Sequence, residues 1–406
     1  MNILYLVPHV PNPTKIRSYS HISGLKNAEH QIVVATLQHG AKDAEYISRL
    51  EQMGIQVISI QITRQKSLIN SLTILPSGHP LQFNFMWSAE LMRRIEAQMR
   101  SNPPDIIHVE HLRMAKYGLL LKAHWPLVWD AVDNLESLFT GASQASTSRV
   151  GRFVARIEAP RLKHYEPWLV DQFLATLVIS YRDQALFMAG SVSRREHIYV
   201  APLGMPINPD ASSLNRAPNV LLMTGAFNYH PNVASVVYFV REIFPKILRQ
   251  RPDMKLQIVG ANPSPAVEAL QNIHIEVTGF VPSLSDYLHR ATIALAPILY
   301  GSGIQVKVLE AFLTGTPLVA TSVALRGLDV KHGEHVLIAD TPDDFADAVI
   351  LLLSDIELRN RIAAAGRRYI EQNHDLTKTT NQLLDVYEKV QDLYKSGAKI
   401  GETRLL

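Results

Sequence analysis

The chain of 406 residues contains no cysteine. This absence excludes disulfide bonds, thiolate nucleophiles and cysteine-ligated zinc or iron–sulfur sites, and it is compatible with a reducing cytosol. No apolar run approaches the ~18 residues of a membrane-spanning helix. The N-terminal stretch MNILYLVPHVPNP also lacks the basic start of a signal peptide. We therefore expect a cytoplasmic protein without a membrane-spanning segment.

The composition has no low-complexity tract and no strong charge excess. Apolar residues make up 47% and charged residues 19% of the chain, which is typical of an ordered globular protein. The net charge of +3 is too mild to indicate a nucleic-acid partner. Because single cores stop growing at roughly 250–300 residues, a chain of this length is expected to form two domains.

Short apolar runs alternate with helical patterns along the chain. Runs of this kind between helices are typical of βαβ units in a parallel sheet that is buried on both faces. The predicted strands are 2–7, 31–37, 55–60, 105–109, 126–131 and 175–180 in the first half and 219–225, 255–260, 273–280, 292–297 and 317–322 in the second. Helices are predicted over 88–100, 146–171, 304–314 and 355–395. The sequence thus predicts an α/β fold with two doubly wound parallel sheets.

One stretch rich in proline, asparagine and serine, 201–218, interrupts this alternation and predicts a linker. We expect one domain over 1–200, a second over 219–375, and a C-terminal helix within 376–406 that packs back toward the first domain. Ligands of such sheets bind beyond the carboxyl ends of the strands, so two facing sheets would form an interdomain cleft. One large domain with a surface loop is the alternative.

Residues 301–322, GSGIQVKVLEAFLTGTPLVATS, place a glycine-rich turn before a predicted helix. Gly301 and Gly303 allow backbone N–H groups to approach a ligand, and a helix N-terminus favours an anion. Lys307 would add a cation one turn further on, and Glu310 an acceptor for sugar hydroxyls. This order suits a phosphate with a sugar attached. A solvated Lys–Glu pair at i,i+3 is the alternative.

In this context the stretch resembles the donor-site signature of family-four glycosyltransferases, which are retaining, metal-independent enzymes of the GT-B fold. Further segments agree in the same order along almost the whole chain: MNILYLVPHVPNP with KIRSYSHISGL, PPDIIHVEHLRMA, MTGAFNYHPN and VTGFVPSLSDYLHRATIALAP. A branch with a G-x-x-x-Y-x-P-N pattern, associated with exopolysaccharide assembly, is most similar. The resemblance implies two Rossmann-like domains, the first binding the acceptor and the second the donor.

The resemblance also implies residue roles. Ser302, Gly303 and Ile304 would present backbone N–H groups to the donor diphosphate and sugar. Lys307 would neutralise the diphosphate, and Glu310 would bind the ribose. The remaining donor-side candidates are Gln305, Val281, which would lie beside the base, Gly225 and Asn228. His111 is the histidine implied near the transferred sugar, and His111 and Lys307 are the predicted catalytic residues. The donor would be a UDP- or GDP-linked sugar, with no cofactor and no metal.

The implied activity is sugar transfer from a nucleotide sugar to a saccharide or lipid-linked acceptor in surface polysaccharide or glycolipid synthesis. Breaking a glycosyl–phosphate bond places negative charge on the leaving diphosphate, where preorganised donors stabilise it. One departure from the family pattern is Ser302, which stands eight residues before Glu310 in place of a carboxylate. A nucleotide-sugar-binding scaffold or partner subunit with weakened catalysis is the alternative that this departure suggests.

Polar residues of the first domain lie near predicted strand ends or at the first helix. Arg17 is expected to contact the acceptor or the diphosphate, with an ordinary surface arginine as the alternative. Asp133 and Asn134 either contact acceptor hydroxyls or form a turn with helix capping. The segment 108–112, HVEHL, offers metal-ligating side chains, but it straddles a strand end, and we expect no metal there.

A basic segment, 146–168, carries Arg149, Arg152 and Arg156 as a helical stripe between apolar residues. This composition suits a helix that lies on an anionic membrane surface, where a lipid-linked acceptor would be found. We therefore expect the protein to associate peripherally with the inner face of the membrane. A solvated helix face is the alternative.

Overall fold

The computed structural model describes residues 1–145, 149–190, 193–207, 216–301 and 303–398. Ser302, residues 146–148 of the basic segment and residues 208–215 of the predicted linker lie outside the described residues. The chain divides into two compact units. Unit 1 comprises Met1–Gly204 and Leu376–Leu406, and unit 2 comprises Met205–Asp375.

Unit 1 is built on a seven-stranded parallel sheet of order β3-β2-β1-β4-β5-β6-β7. The strands are β1 (Asn2–Val7), β2 (Gln31–Gln38), β3 (Gln56–Gln61), β4 (Ile106–Glu110), β5 (Leu127–Val132), β6 (Ala175–Val178) and β7 (Ile198–Val200). The α-helices are α1 (Ile16–Asn27), α2 (Asp43–Gln52), α3 (Arg64–Thr73), α4 (Leu81–Phe85), α5 (Ala89–Ser101), α6 (Ala115–Leu121), α7 (Leu135–Ala145), α8 (Arg149–Val170) and α9 (Tyr181–Gly190). The six strands predicted here are confirmed. Strand β7, with only three residues, was missed.

Unit 2 repeats the plan with a six-stranded parallel sheet of order β10-β9-β8-β11-β12-β13. The strands are β8 (Val220–Thr224), β9 (Lys255–Val259), β10 (Ile275–Gly279), β11 (Ile293–Ala296), β12 (Leu318–Ala320) and β13 (Leu337–Ile338). The α-helices are α10 (His230–Tyr238), α11 (Phe244–Gln250), α12 (Pro265–Glu268), α13 (Leu284–Arg290), α14 (Val306–Leu313), α15 (Pro342–Ser354) and α16 (Ile356–Asn373). The five strands predicted here are confirmed, and the two-residue β13 was missed.

The last helix, α17 (Leu376–Lys395), packs on the sheet of unit 1. Alternate residues of β1 enter two cores: Leu4 and Leu6 pack with α5 and α8, whereas Ile3 and Tyr5 pack with α1 and α17. Close packing of α17 on α1 depends on Gly24, because a Cβ there would lie 2.0 Å from Thr380 Oγ1. Burial of both sheet faces explains why the strands are continuous apolar runs. None of the helices in the described part of the chain is long and apolar enough to cross a membrane.

One predicted helix boundary was wrong. Helix α14 begins at Val306 rather than at 304, because Gly303 has φ 71° and Gln305 has an extended conformation with ψ 102°. Ile304 therefore precedes the helix instead of starting its buried face. The helical region predicted over 355–395 is confirmed and consists of two helices, since α16 ends at Asn373 and the next helix begins at Leu376. The start of the basic helix predicted from 146 lies outside the described residues, and α8 is described over Arg149–Val170.

A buried ion pair joins α1 to β5 in unit 1, so Arg17 is not an ordinary surface arginine. The guanidinium donates from Nε and Nη2 to the two Asp130 oxygens, each at 2.8 Å, and from Nη1 to the Ala201 carbonyl at 2.9 Å. Both side chains are buried. Burial opposes ionisation of Asp130, but the Arg17 and His108 side chains outweigh it and hold the pKa of Asp130 well below its usual range. Arg17 is thus held inside unit 1 by its hydrogen bonds to Asp130 and Ala201, and its contact with an acceptor or diphosphate stays a prediction.

Breaking this ion pair should destabilise unit 1 strongly. Arg17→Met leaves the Asp130 carboxylate buried without its partner, and we expect a loss of about 3–5 kcal/mol in the free energy of unfolding. Arg49→Met removes an exposed pair with Glu45 and should change that free energy by less than about 1 kcal/mol. Urea titration followed by circular dichroism measures both. Equal, small losses in the two variants would contradict the assignment.

Candidate functional site

In each sheet the strand order reverses next to the first strand of the unit. The reversal falls between β1 and β4 in unit 1 and between β8 and β11 in unit 2. Connections leave to opposite faces at such a point, and the crevice beyond the carboxyl ends of the strands is where open α/β sheets bind ligands. The candidate residues are therefore placed by the loops that follow these four strands.

Two glycine turns lie backbone against backbone at this edge of unit 2. Gly225, after β8, has φ 152°, and Gly260, after β9, has φ 154°. A Cβ on Gly260 would lie 1.8 Å from the Gly225 carbonyl oxygen, and a Cβ on Gly225 would lie 2.8 Å from Asn232 Nδ2. Side chains are excluded at both positions, so the loop after β8 presents bare backbone.

Lys307 extends from α14 to this backbone. Its Nζ donates a hydrogen bond of 2.8 Å to Asn232 Oδ1 at the start of α10, and a Cβ on Gly225 would lie 3.5 Å from Nζ. The predicted candidates Lys307 and Gly225 are thus brought together. Sequence analysis did not assign Asn232 as the partner of the lysine. The available signal was a polar residue directly after Pro231 in the first turn of a helix that follows a strand.

The protonation of Lys307 and Glu310 is affected by their surroundings. Burial lowers the pKa of Lys307 to about 8, and Glu310 opposes this shift. Burial raises the pKa of Glu310 to about 7, and Lys307 opposes that shift. The lysine is therefore a poorly hydrated cation at neutral pH, and an anion placed beside it would be stabilised more than at an exposed lysine.

The other donor-side candidates lie in loops at the same edge of the sheet. Asn228 is exposed in the loop after β8, and the half-buried Ile304 and Gln305 precede α14. Val281 is half-buried just past the end of β10, next to Phe280, which is 78% exposed. Since β10 is two strands from β8, Val281 is roughly 10 Å from the glycine turn across the sheet.

A second contact ties the two loops that flank the reversal point. His230 Nδ1 is hydrogen-bonded to the hydroxyl of Tyr300, which connects the loop after β8 to the loop after β11. The Lys307–Asn232 bond joins α14 to α10, the helices that follow these two loops. The two bonds fix the spacing of the loops between which a ligand of unit 2 would lie.

In unit 1, His111 follows β4 in a strained backbone conformation, with φ 68° and ψ 152°. Its N–H donates to the Asp130 carbonyl at 2.7 Å, and its Nδ1 accepts from Arg113 N–H at 3.2 Å. An accepting Nδ1 places the ring proton on Nε2. Burial and the Arg113 cation lower the pKa of His111 to about 3, so the ring is neutral and can donate a hydrogen bond from Nε2.

The two candidates in the loop after β5, Asn134 and Asp133, differ in their hydrogen bonds. Asn134 is buried, its Oδ1 accepts from Ser137 N–H at 2.9 Å, and its Nδ2 donates to Glu166, so it acts as a helix cap. Asp133 follows Val132, which has φ 68°. Its Oδ1 is buried without a hydrogen-bond partner among the described residues. Burial and the Asp183 carboxylate raise the pKa of Asp133 to about 6.

One cluster of described residues has the side chains of a metal site. Potential ligand atoms of His21, His108 and Asp130 lie within 4.8 Å of one another. Both Asp130 oxygens, however, accept from the Arg17 guanidinium, a fixed cation that would repel a metal ion. His108 Nδ1 is hydrogen-bonded to the Tyr387 hydroxyl of α17 at 2.8 Å. The cluster therefore fits a structural role that joins α17 to the sheet.

The strain at His111 leads to a test of its backbone. The observed φ and ψ lie in a region that only glycine adopts at low cost. We therefore expect His111→Gly to have a free energy of unfolding about 1 kcal/mol higher than that of His111→Ala, although both variants lack the imidazole. At an unstrained position alanine is the more stabilising of the two. Thermal denaturation measures the difference in stability between the two variants. An alanine variant as stable as the glycine variant would contradict the strained conformation.

Comparison with known proteins finds sequence relatives that match about half of the chain. The chain is 26% identical over 191 residues to an uncharacterized 44.6 kDa protein in the cps region of Klebsiella pneumoniae, a match that covers 45% of this chain and 49% of that protein. It is 25% identical over 199 residues to a phosphatidyl-myo-inositol mannosyltransferase of Mycobacterium leprae, covering 47% and 51%. The chain thus spans about half the length of these curated relatives.

Solved structures match over nearly the whole chain. The Anabaena protein HepE in complex with UDP has a TM-score of 0.68 at 16% identity, with 96% of this chain and 100% of that chain covered. A sucrose-phosphate synthase from Thermosynechococcus elongatus has a TM-score of 0.69 at 15% identity, covering 97% and 99%. At these identities the likeness shows the fold, which is GT-B, as the sequence predicted.

Residues 218–355, from the start of β8 to the end of α15, match the family model described as glycosyl transferases group 1. This segment contains the glycine turns, Asn232, Lys307 and Glu310. The expected likeness to family-four glycosyltransferases is thereby confirmed, and within this GT-B chain it is unit 2 that is similar to the glycosyl transferases group 1 family.

Proposed function

We propose that the protein is a retaining, metal-independent glycosyltransferase that moves a sugar from a UDP- or GDP-linked donor to a saccharide or lipid-linked acceptor. The observation that carries this proposal is the Lys307–Asn232 contact over the bare backbone of Gly225, at the strand-order reversal of a glycosyl transferases group 1 domain. The Lys307 cation lies there close enough to the Glu310 carboxylate for each to shift the pKa of the other. Together they suit a nucleoside diphosphate with its ribose.

Relatives support the proposed substrate classes. The solved HepE structures contain UDP, UDP with glucose, or UDP-glucose. The Klebsiella relative belongs to a cps region, and the Mycobacterium relative is named for transfer to phosphatidyl-myo-inositol, a lipid. On this basis we assign the chain to surface polysaccharide or glycolipid synthesis.

The proposed chemistry breaks the bond between the sugar anomeric carbon and the diphosphate oxygen, and forms a bond from that carbon to the acceptor oxygen on the same face. The acceptor hydroxyl proton passes to the leaving phosphate oxygen. Lys307 and the backbone N–H groups that precede α14 stabilise the negative charge that develops on the diphosphate. They supply the positive charge that a divalent cation provides in metal-dependent transferases.

The remaining candidates have binding roles in this proposal. Glu310 accepts hydrogen bonds from the ribose hydroxyls, which its ionised form does best. The neutral His111 donates a hydrogen bond from Nε2 to the transferred sugar. Asp133, whose buried oxygen has no partner among the described residues, accepts from an acceptor hydroxyl. Val281 lies beside the nucleobase.

Substitution of Lys307 tests the donor site. Lys307→Ala removes the cation beside the leaving group, and we expect kcat/KM for UDP-glucose hydrolysis or transfer to fall about a hundredfold or more. Lys331→Ala, at an exposed lysine of unit 2, should leave it unchanged. The measurement is release of UDP from a panel of UDP- and GDP-linked sugars.

An unchanged kcat/KM in Lys307→Ala would refute the assignment of the lysine. Wild-type protein that binds a donor without releasing product, with or without saccharide and lipid acceptors, would favour the scaffold function over the transferase.

The pKa of Lys307 predicts the pH dependence of donor binding. Because the pKa of the free lysine is lowered to about 8, the ammonium group is present below that pH and is lost above it. By linkage, loss of the ammonium group should raise the Kd for UDP about tenfold between pH 7 and pH 9. Calorimetric titration measures it. Lys307→Arg keeps its charge and serves as the control, and the same rise in that variant would exclude Lys307 as its cause.

We further propose that unit 1 contacts anionic lipid through α8. The described part of this helix exposes Val150 by 73% and Phe153 by 65%, beside the basic Arg152 and Arg156. An apolar surface flanked by cations is typical of helices that lie at a membrane interface. A peripheral position of this kind would bring unit 1 to a lipid-linked acceptor.

A further inference from the structure

Helix α3 of unit 1 buries its polar face and exposes its apolar face. Its polar side chains Ser67, Asn70 and Ser71 are buried. Its apolar side chains are exposed, by 52% at Leu68, 55% at Ile69 and 62% at Leu72. A surface helix normally buries its apolar face against the core.

Hydrogen bonds fix this orientation. Asn70 Nδ2 donates to the Trp87 carbonyl at 2.9 Å, and Ser71 Oγ donates to the Leu81 carbonyl at 3.1 Å. The Asn70 carbonyl in turn accepts from Asn84 Nδ2 at 2.9 Å. Rotating the helix to bury its leucines would leave these buried polar groups without partners, which costs about 1–3 kcal/mol for each group. The exposed apolar surface is therefore a stable feature of the fold.

The exposed surface continues beyond the helix. Leu75, in the short 3-10 helix Leu75–Ser77, is also exposed. We call Leu68, Ile69, Leu72 and Leu75 the leucine face. Full burial of such side chains stabilises by about 1.5–3 kcal/mol each, and folding of this chain leaves most of that stabilisation unrealised. A contiguous exposed apolar surface of this kind marks an interaction site.

The charges around the leucine face have one sign. Residues 52–89 contain no aspartate or glutamate, but they contain Arg64 and Lys66 at the start of α3. Arg64 is one turn before Leu68 and lies on the same side of the helix. At the other end, the Arg161 guanidinium of α8 donates to the Leu75 and His79 carbonyls. The partner must therefore combine an apolar interior with negative charge at its surface.

A pocket adjoins the end of α3. It has a volume of about 300 Å³, and its lining includes Thr73, Ile74, Lys116, Tyr165 and Trp168. Tyrosine and tryptophan are the side chains enriched where a bilayer meets water, because they combine an apolar ring with a polar group. The pocket thus extends the same combination of apolar, aromatic and cationic groups.

We propose that the leucine face docks on an anionic lipid bilayer, with α3 lying in the interface and its cations paired with lipid phosphates. This inference rests on the proposed peripheral membrane role of unit 1, and adds the element that enters the apolar layer. A second copy of the chain fits less well, since a symmetric contact through this face would bring the arginine and lysine of one copy close to those of the other.

Vesicle sedimentation of the full chain tests the proposal without donor or acceptor. Leu68→Ser/Ile69→Ser/Leu72→Ser should lower partition onto phosphatidylglycerol-containing vesicles at least tenfold, while the circular dichroism spectrum stays unchanged. Arg64→Gln/Lys66→Gln should lower it about fivefold for each charge removed, with the effect lost at high salt. The matched control is Ile273→Ser/Leu351→Ser/Ile356→Ser, three similarly exposed residues of unit 2 that should not affect binding.

A variant of α8, Arg152→Gln/Arg156→Gln, separates the two membrane proposals. Loss of vesicle binding in this variant but not in the α3 serine variant would overturn the docking of α3 and leave the role of α8 intact. Wild-type protein that ignores anionic vesicles would overturn both, without bearing on donor hydrolysis. A wild-type dimer that becomes a monomer in the serine variant, measured by light scattering, would identify the leucine face as a contact between copies and overturn the lipid proposal.

Discussion

The site geometry depends on one constraint, the reversal of strand order in a parallel sheet. In unit 2 this reversal separates β8 from β11, so the loop that ends at α10 and the loop that ends at α14 diverge at the carboxyl edge. Two hydrogen bonds, from Lys307 to Asn232 and from His230 to Tyr300, reconnect these loops across the gap. A glycine at the turn after β8 keeps the space beside the lysine free of side chains. The crevice is thus a product of topology, and its chemistry is supplied by a few residues.

Two basic residues show how the same residue class serves different purposes in the two units. Arg17 is buried and bidentate to Asp130, so its charge is used to hold α1 on β5. Lys307 donates to a neutral partner, Asn232, and burial lowers its pKa more than the nearby Glu310 carboxylate raises it. A buried charge pair contributes to structure, whereas a poorly solvated cation with a neutral partner favours an incoming anion. Arg17 therefore has a structural role, whereas Lys307 is the residue proposed to bind the ligand.

Much of the fold could be predicted from the sequence, because parallel strands buried on both faces read as uninterrupted apolar runs such as NILYLV and QIVVATL. Strands β7 and β13 were missed because two or three residues carry no periodicity. Positions within the crevice were harder. Arginine is usually a surface residue, and Asp130, the partner of Arg17 in the buried ion pair, is 113 residues away in the chain. The orientation of α3 could not be predicted either, because the apolar face of an amphipathic helix is expected to pack on the core.

The central claim is that the carboxyl edge of unit 2 holds a nucleoside diphosphate against Lys307. Side-chain ¹⁵N NMR of labelled lysine, assigned by Lys307→Arg, measures the titration of this amine directly in the presence and absence of UDP. The account predicts that the pKa of Lys307 rises from about 8 when UDP binds, since the negatively charged diphosphate stabilises the ammonium form. A pKa that stays the same at saturating UDP would contradict it.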